Sequence, residues 1–580
     1  GGINYEVTGE NTVEVGNNVS WGGGSVVIPA TVTNPNDNKT YNVTGIGKEA
    51  FYRGYRMTSV TISEGVTYIG ERAFWDADLT SISLPEGLTS IGSQAFYDCD
   101  NINGELVIPS TMKSIGANVF YGCEKLTSVT IKGGSIGEKA FYWCEGLTSI
   151  SLQEGVTSIG TQAFDYCTYI EGELVIPSTV KSIGANAFDG CRKLTSVTIK
   201  GGSIGDNAFN WCRGLTTISL QEGVTSIGSQ AFYCCDNING ELLIPSTVKS
   251  IGANAFDECD ELTSIKVFAF VPPVLGQNAF DSYNIPLYVM DVEKYKECDG
   301  WKDFQNIKLL TDFRLGDQMY SLGEKDSGRY LDQDLTFNDK DSYVSGLDFT
   351  VNKLTYSRTF TNKNWQALYV PFAMSYDDWV GEFDVAAINN FHEYTDDMGQ
   401  TVKTELEIRM VKSGTLKPNH PYLIKAHSAN ATKAQEINIS SNKMYKSEEN
   451  SIVCSSVDRK YTFTGTYRDI TGMRTKDYIF LSDGSLCRAT NDGVRLSAQR
   501  WYLSIESLGS QVDGGYTSDV KAMEFDIKLL DDEATDIDEI TVTRTPLRNS
   551  VEAIYNLNGM RVNDSYKGIV IKNGKKVLQK

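Results

Sequence analysis

The pattern Ile-Gly-x-x-Ala-Phe constrains this chain more than any other feature. It starts at Ile46, Ile69, Ile91, Ile115 (with Val119 in the Ala slot), Ile136, Ile159, Ile183, Ile204, Ile227 and Ile251, and a degenerate eleventh copy starts at Leu275. Successive copies are 21 to 24 residues apart, and the order 24, 21, 23 occurs twice. Residues 91–158 and 159–226 are therefore two nearly identical 68-residue blocks. Gly104-Glu105-Leu106-Val107-Ile108-Pro109, for example, returns as Gly172-Glu173-Leu174-Val175-Ile176-Pro177. A unit this short cannot bury an apolar face alone, so such units must stack and share one continuous core. Each unit also holds a strand-like run such as Leu126-Thr127-Ser128-Val129-Thr130-Ile131. Period-two patterning points Leu126, Val129 and Ile131 inward, and Ser128 and Thr130 outward.

The cysteines share the period. Cys99, Cys123, Cys144, Cys167, Cys191, Cys212, Cys235 and Cys259 each lie three residues after the repeat Phe, where the outer copies have Gly54, Ala77 and Tyr283. A slot filled by Cys, Gly or Ala reads as a small buried position, and the expectation is a ladder of inert thiols. Cys234, beside Cys235, should be the more exposed thiol. No CxxC pair or nearby His supports a metal site.

A period of 21–24 residues with Leu-x-x-Leu-x-Leu character lies in the leucine-rich-repeat range. The full unit, Ile-Gly-x-x-Ala-Phe-x-x-Cys-x-x-Leu-Thr-Ser, closely resembles the BspA-type leucine-rich repeats of bacterial surface proteins over about residues 40–285. Ile3–Val7 and Thr12–Val15 look like the lead-in hairpin of such arrays, and Pro286–Val289 with Tyr295 and Trp301–Phe304 looks like their end. The resemblance implies a secreted or surface-attached protein, some relatives of which bind host matrix proteins or other bacteria.

Beyond Leu310 the repeat is gone. Lys353 to Thr361, Gln366 to Val370, Leu406 to Val411 and Tyr461 to Thr466 read as strands between Asp, Asn, Gly and Ser clusters, as in a β-sandwich or barrel. Trp365-Gln366-Ala367-Leu368-Tyr369-Val370-Pro371-Phe372 resembles a motif of C-terminal modules in Bacteroides-type surface proteins. The acidic run 531–539 reads as a linker. Around Asn558-Gly559 and Asn573-Gly574 the chain reads as hairpins and is similar to the short sorting tails of exported Bacteroidetes proteins. The expected class is thus mainly β: a leucine-rich-repeat solenoid of about eleven repeats in 1–310, a β-sandwich-like module in 311–545, and a short sorting- or anchoring-like tail in 546–580.

Charge and histidine content narrow the function. With 74 acidic against 53 basic residues the net charge is −21, which argues against nucleic acid and against electrostatic docking to anionic membranes. Only three histidines occur, which removes most His-based catalysis and most zinc chemistry. No apolar run reaches the roughly 18 residues of a spanning helix. The chain opens Gly1-Gly2-Ile3 with neither a charged leader region nor Met, so the lack of a signal peptide there is uninformative. Gly133-Gly134-Ser135-Ile136-Gly137 and its twin at 201–205 match G-x-S-x-G, but the final Gly belongs to the repeat. His392-Glu393 lacks a second His at 396. His420 and His427 read as ordinary surface or turn histidines. No catalytic residue, metal or cofactor is expected.

Two surfaces remain as ligand candidates. One is the outward hydroxyl row Ser128, Thr130, Ser149, Ser151, Ser196, Thr198, Thr217 and Ser219. The other is the pair of variable positions between Phe and Cys, with Tyr52, Trp75, Tyr97, Tyr121, Tyr142, Trp143, Tyr166, Trp211 and Tyr233, mixed with Asp76, Asp98, Asp165 and Asp189. Stacking would align these as an aromatic stripe suited to protein hot spots or sugar rings. From this stripe, Tyr97, Tyr121, Tyr142, Trp143, Tyr166, Trp211 and Tyr233 are the expected binding residues. The favoured reading is a non-enzymatic exported protein at the extracellular or outer-membrane surface, adhering to host or bacterial surface proteins or glycans. A carbohydrate-binding or carbohydrate-processing role seated in the C-terminal β module is the alternative, and a purely structural envelope component the third.

Overall fold

In the computed structural model, residues 2–17, 23–316 and most of 318–455 are described, and beyond 455 mainly separate strands. Residues 508–523 and 530–553 lie outside the described part, and with them the acidic run at 531–539. The Asn558-Gly559 and Asn573-Gly574 turns and the side chains of Cys454 and Cys487 lie outside it too. The chain is mainly β, with 43% strand and 3% helix. It divides into two compact units, 1–313 with 344–346, and 314–343 with 347–580.

The first unit is a solenoid. All eleven repeat copies place the Ile of Ile-Gly in short strands, from Thr40–Ile46 and Tyr68–Ile69 to Val274–Leu275, stacked in parallel in chain order in one sheet. Glycine makes that stacking possible. A Cβ on Gly184 would lie 2.4 Å from Thr161 N, and one on Gly252 would lie 2.3 Å from Ser229 N. No side chain fits between these coils. Behind the sheet, the eleven repeat Phe rings from Phe51 to Phe280 form one stack, with centroids 5.0 to 5.5 Å apart and planes within 14°. Offset stacking at this spacing adds to the burial term.

The cysteine ladder is as expected. All eight thiols are free and buried. Each donates to the carbonyl of the Phe in the preceding repeat, as Cys144 Sγ does to Phe120 O at 3.1 Å and Cys167 Sγ to Phe141 O at 3.1 Å. Burial pushes the Cys99 and Cys144 thiols up to about 12. Cys234 is the more exposed of its pair, at 8% against 0% for Cys235.

Leu126–Ile131 is a strand with Leu126, Val129 and Ile131 buried. The outward ladder differs from expectation, however. It breaks into separate parallel sheets, such as Gly104–Ile108 with Leu126–Ile131 and Ser149–Leu152, then Glu171–Ile176 with Lys193–Ile199 and Thr217–Leu220. The first strand of each of these sheets has a glycine with positive φ at or next to its start, Gly104 at 81° and Gly172 at 80°. There a bulge sets Thr127 or Thr195 out of register. Ser128 therefore faces Ser149, and Ser196 faces Thr217, but no continuous hydroxyl row forms.

Both ends are covered. Tyr5–Gly9 pairs antiparallel with Thr12–Val15, which stacks on Thr40–Ile46. At the other end, a short helix Val292–Glu297, N-capped by Asp291, and the turn at Trp301–Asp303 bury Tyr295, Trp301 and Phe304. Trp301 Nε1 donates to Pro273 O at 2.7 Å, and Phe304 packs on Phe280, ending the ring stack.

In the second unit, the segments read as strands lie in sheets. One five-stranded sheet orders Gln366–Leu368, Tyr422–Ala426, Phe383–Thr395, Thr401–Met410 and Glu524–Leu529. Another contains Ser451–Ser455, Arg459–Thr466 and Arg500–Ser507. Ile388, Phe391, Leu406 and Leu423 from the first share a core with Tyr461, Phe463 and Leu503 from the second, which is sandwich packing. The last residues form a small antiparallel sheet of Ile554–Asn556, Arg561–Val562, Gly568–Lys572 and Lys575–Gln579. Among the described residues no helix is long and apolar enough to cross a membrane.

Candidate functional site

The site is built by the turns that carry the chain from Ile to Cys. In the copy at Ile136, the N–H groups of Lys139, Phe141 and Trp143 bond forward to Thr161, Ala163 and Asp165 of the next coil. Those of Ala140, Tyr142 and Cys144 bond back three residues within the coil. Alternation satisfies every one of these amides. It also requires a left-handed residue at every fourth position, here Lys139 at φ 54° and Trp143 at φ 60°.

That geometry decides what the variable pair does. The position directly after Phe points along the corner, and its rings stack from coil to coil. Trp75 and Tyr97 lie 4.2 Å apart, Tyr97 and Tyr121 4.6 Å, and Tyr121 and Tyr142 5.1 Å. Tyr52 joins the stack at 6.1 Å, tilted. In later coils the same position holds Asp165, Asp189 and Asn210. The second position is the left-handed one. Gly122 and Gly190 fill it in two coils, at φ 71° and 70°, but Trp143, Tyr166 and Trp211 adopt it at 60°, 59° and 57°. Bulky residues there are outliers that cost about 1–3 kcal/mol each. These three rings are also the most exposed of the stripe, at 47%, 49% and 39%.

The expected residues are thus only partly brought together. Tyr97, Tyr121 and Tyr142 stack, and Trp143 and Tyr166 pack against their end at steep angles. Trp211 stands apart under Arg213, and Tyr233 has no ring partner among the described residues. Asp165 is the unexpected member. It is 2% exposed, its Oδ2 accepts from Gln162 Nε2 at 2.8 Å, and its Oδ1 has no partner. Burial, with a further push from Asp189, holds its carboxyl up at about 6.

The duplicated blocks differ where the corner is. Tyr97, Tyr121 and Tyr142 become Asp165, Asp189 and Asn210, while Glu124 and Glu145 become Arg192 and Arg213. The strand side changes less: Thr127, Thr148, Ser151, Gln153 and Glu154 match Thr195, Thr216, Ser219, Gln221 and Glu222, while Ser149 becomes Thr217 and Asn103 becomes Glu171.

The profile of the BspA type leucine rich repeat region, in six copies, matches residues 44–171, 134–263, 200–294 and 240–325. Residues 44–325 are a BspA-type leucine-rich-repeat region. This BspA-type region also has counterparts among solved structures. A leucine rich cell surface protein from Faecalibacterium prausnitzii is 23% identical, over 45% of this chain and 92% of that one, with a TM-score of 0.28. A leucine-rich repeat protein from Bacteroides ovatus is 24% identical, over 53% and 98%, with a TM-score of 0.25. The pneumococcal vaccine antigen PcpA is 20% identical, over 53% and 96%, with a TM-score of 0.29. No curated protein matches the chain.

The remaining motifs take structural places. Ser135 lies in a short strand of the BspA-type coils and donates to Lys113 O at 3.3 Å. His392 sits on the strand Phe383–Thr395, with Nε2 3.4 Å from Glu407. His427 is exposed, and its ring bridges Gly381 O and Asp384 Oδ1. His420 departs from the surface expectation. Its Nε2 is buried without a partner, its ring packs on Tyr422, and burial lowers it to about 4.

Proposed function

We propose that this chain is a non-enzymatic, surface-exposed binding protein whose BspA-type corner adheres to partner surfaces, with the β-rich unit and terminal strands spacing or attaching it. The observation that carries this reading is the contrast between the two blocks. Exposed strand-side positions are mostly kept, whereas Glu124 and Glu145, exposed at the corner, are exchanged for Arg192 and Arg213 beside bulky rings on a strained backbone. It favours the aromatic corner over the hydroxyl positions. Rings presented on successive coils from Tyr52 to Tyr166 suit an extended or multivalent partner, because several weak contacts then act together. The double substitution Trp143→Ala, Trp211→Ala in the full chain tests it. Binding to immobilised matrix proteins or bacterial cells should fall at least tenfold with an unchanged melting temperature. Undiminished binding by the double variant, or binding to glycans alone through the second unit, would refute it.

A further inference from the structure

Trp143 and Trp211 occupy the same slot of the two blocks, 68 residues apart. They share the left-handed backbone and similar exposure. Their surroundings differ. Over Trp211 lies Arg213, its guanidinium carbon 4.5 Å from the ring centroid and its Nε 3.9 Å from Asp236. In the first block the residue matching Arg213 is Glu145. Trp143 keeps the ring and has a carboxylate where its twin has the cation. One coil earlier the same exchange sets Glu124 against Arg192.

Elsewhere along the stripe the chain covers its own rings. Arg53 lies over Tyr52 at 5.5 Å, Arg72 over Trp75 at 5.2 Å and Lys139 over Tyr142 at 5.7 Å. Among the described residues no cation lies over Tyr97, Tyr121, Trp143 or Tyr166. In the same stretch Asp98, Asp100, Glu124 and Glu145 have no ion pair among the described residues. Burial, and after it the charges of Asp76, Asp100 and Glu124, raise the Asp98 carboxyl. The planes of Trp143 and Tyr166 meet at 72° with centroids 6.4 Å apart, and Glu145 follows Trp143 by two residues as Arg213 follows Trp211. Ring faces attract cations, and more so beside an unpaired carboxylate.

We propose that the corner of the first block binds an arginine- or lysine-bearing polypeptide segment, one of whose cations lies over Trp143 and pairs with Glu145 as Arg213 lies over Trp211. Arg213 is then the molecule's own picture of the bound state. This rests on the corner being the binding surface, and it adds the charge of the partner.

The test uses the full chain and a fluorescein-labelled peptide of alternating Arg and Gly, read by polarisation at 50 and 150 mM salt. A peptide with Glu for Arg is the control. Glu145→Arg places in the first block the side chain the second already tolerates, so the fold is kept while the ring acquires its own cation. We expect saturable binding of the Arg peptide only, weakened at least tenfold by Glu145→Arg. It should change less than twofold with Glu64→Arg, which reverses the same charge away from the corner. Equal losses from both variants, or unchanged binding by Glu145→Arg, would overturn the proposal. So would a wild-type dimer that Glu145→Arg dissociates without peptide binding, since a second copy would then supply the cation. Matrix or cell binding that survives Glu145→Arg but not the Trp143→Ala, Trp211→Ala pair would leave the corner as the surface and remove only its cation specificity.

Discussion

One methyl group at Gly184 should separate neighbouring coils, while the same methyl at Gly172 should not. A Cβ at Gly184 would lie 2.4 Å from Thr161 N and 2.5 Å from Gly160 C, where ordinary contact begins near 3.4 Å. The coils must part by about 1 Å. Gly184 N–Ile159 O, Gln162 N–Ala185 O and Phe164 N–Ala187 O each span 2.8 Å across that junction. An added ångström takes all three beyond the useful range. At about 1 kcal/mol each, their loss amounts to ~3 kcal/mol, before any loosening of the Phe164–Phe188 stack. Gly172 has open space around its would-be Cβ but φ of +80°, so Gly172→Ala should cost only about 1–2 kcal/mol from backbone strain. Hydrogen exchange suits a chain of two units, because it reads local opening without assuming two states. Gly184→Ala should speed exchange of the Gln162, Phe164 and Gly184 amides by roughly a hundredfold, at tenfold per about 1.4 kcal/mol. Gly172→Ala should leave those amides within about tenfold of wild type. If Gly184→Ala moves them no more than Gly172→Ala does, the stacking argument is wrong.

Three further outcomes follow from the same geometry. Asp165 holds its proton up to about 6 in the folded chain, above the ordinary Asp range, so the folded state binds more protons than the unfolded one between about pH 4 and 6. Stability from this group should therefore rise as pH falls through that window, by about 3 kcal/mol, and the wild-type-minus-Asp165→Asn difference in melting temperature should show it; a difference flat in pH would contradict the burial. The eight ladder thiols are buried, with Cys99 and Cys144 raised to about 12. An aromatic disulfide reagent should leave all eight unmodified at pH 8 until denaturant is added, and rapid labelling of Cys144 in the native chain would refute this. Trp301→Ala removes a fully buried ring and the bond to Pro273 O, which should cost about 3–5 kcal/mol and first raise exchange in the last coils near Phe280.

Much of the solenoid was legible because its repeat positions are chemically narrow. Phe at one position and a small residue three later can form only a stacked core, and the eleven copies predicted the eleven rings. The corner was legible as a list of aromatics but not as an arrangement. That Gly122 and Trp143 share one slot hints at a left-handed residue, because Gly is the usual occupant of such positions. The hint becomes a statement only when φ is known. Asp165 reads in sequence as one acid among many, and its burial comes from neighbouring coils. His420 likewise reads as a turn residue, because residue order does not show that the ring of Tyr422, two positions on, packs against it.

The sequence by itself determined the period, the β class and the Phe and Cys ladders, since each depends on residue types recurring at fixed steps; the capped ends rest on the family resemblance. The tertiary structure alone decided which side of the coil carries the continuous sheet. Glycine lets backbones touch at the Ile-Gly strands, whereas the strands on the Leu side pair only in groups of three or four. It also decided which rings are covered by the chain's own cations. Those pairs lie one to three residues apart in the chain, and one member of each adopts the left-handed backbone that turns the cation over the ring, a conformation residue order alone does not state.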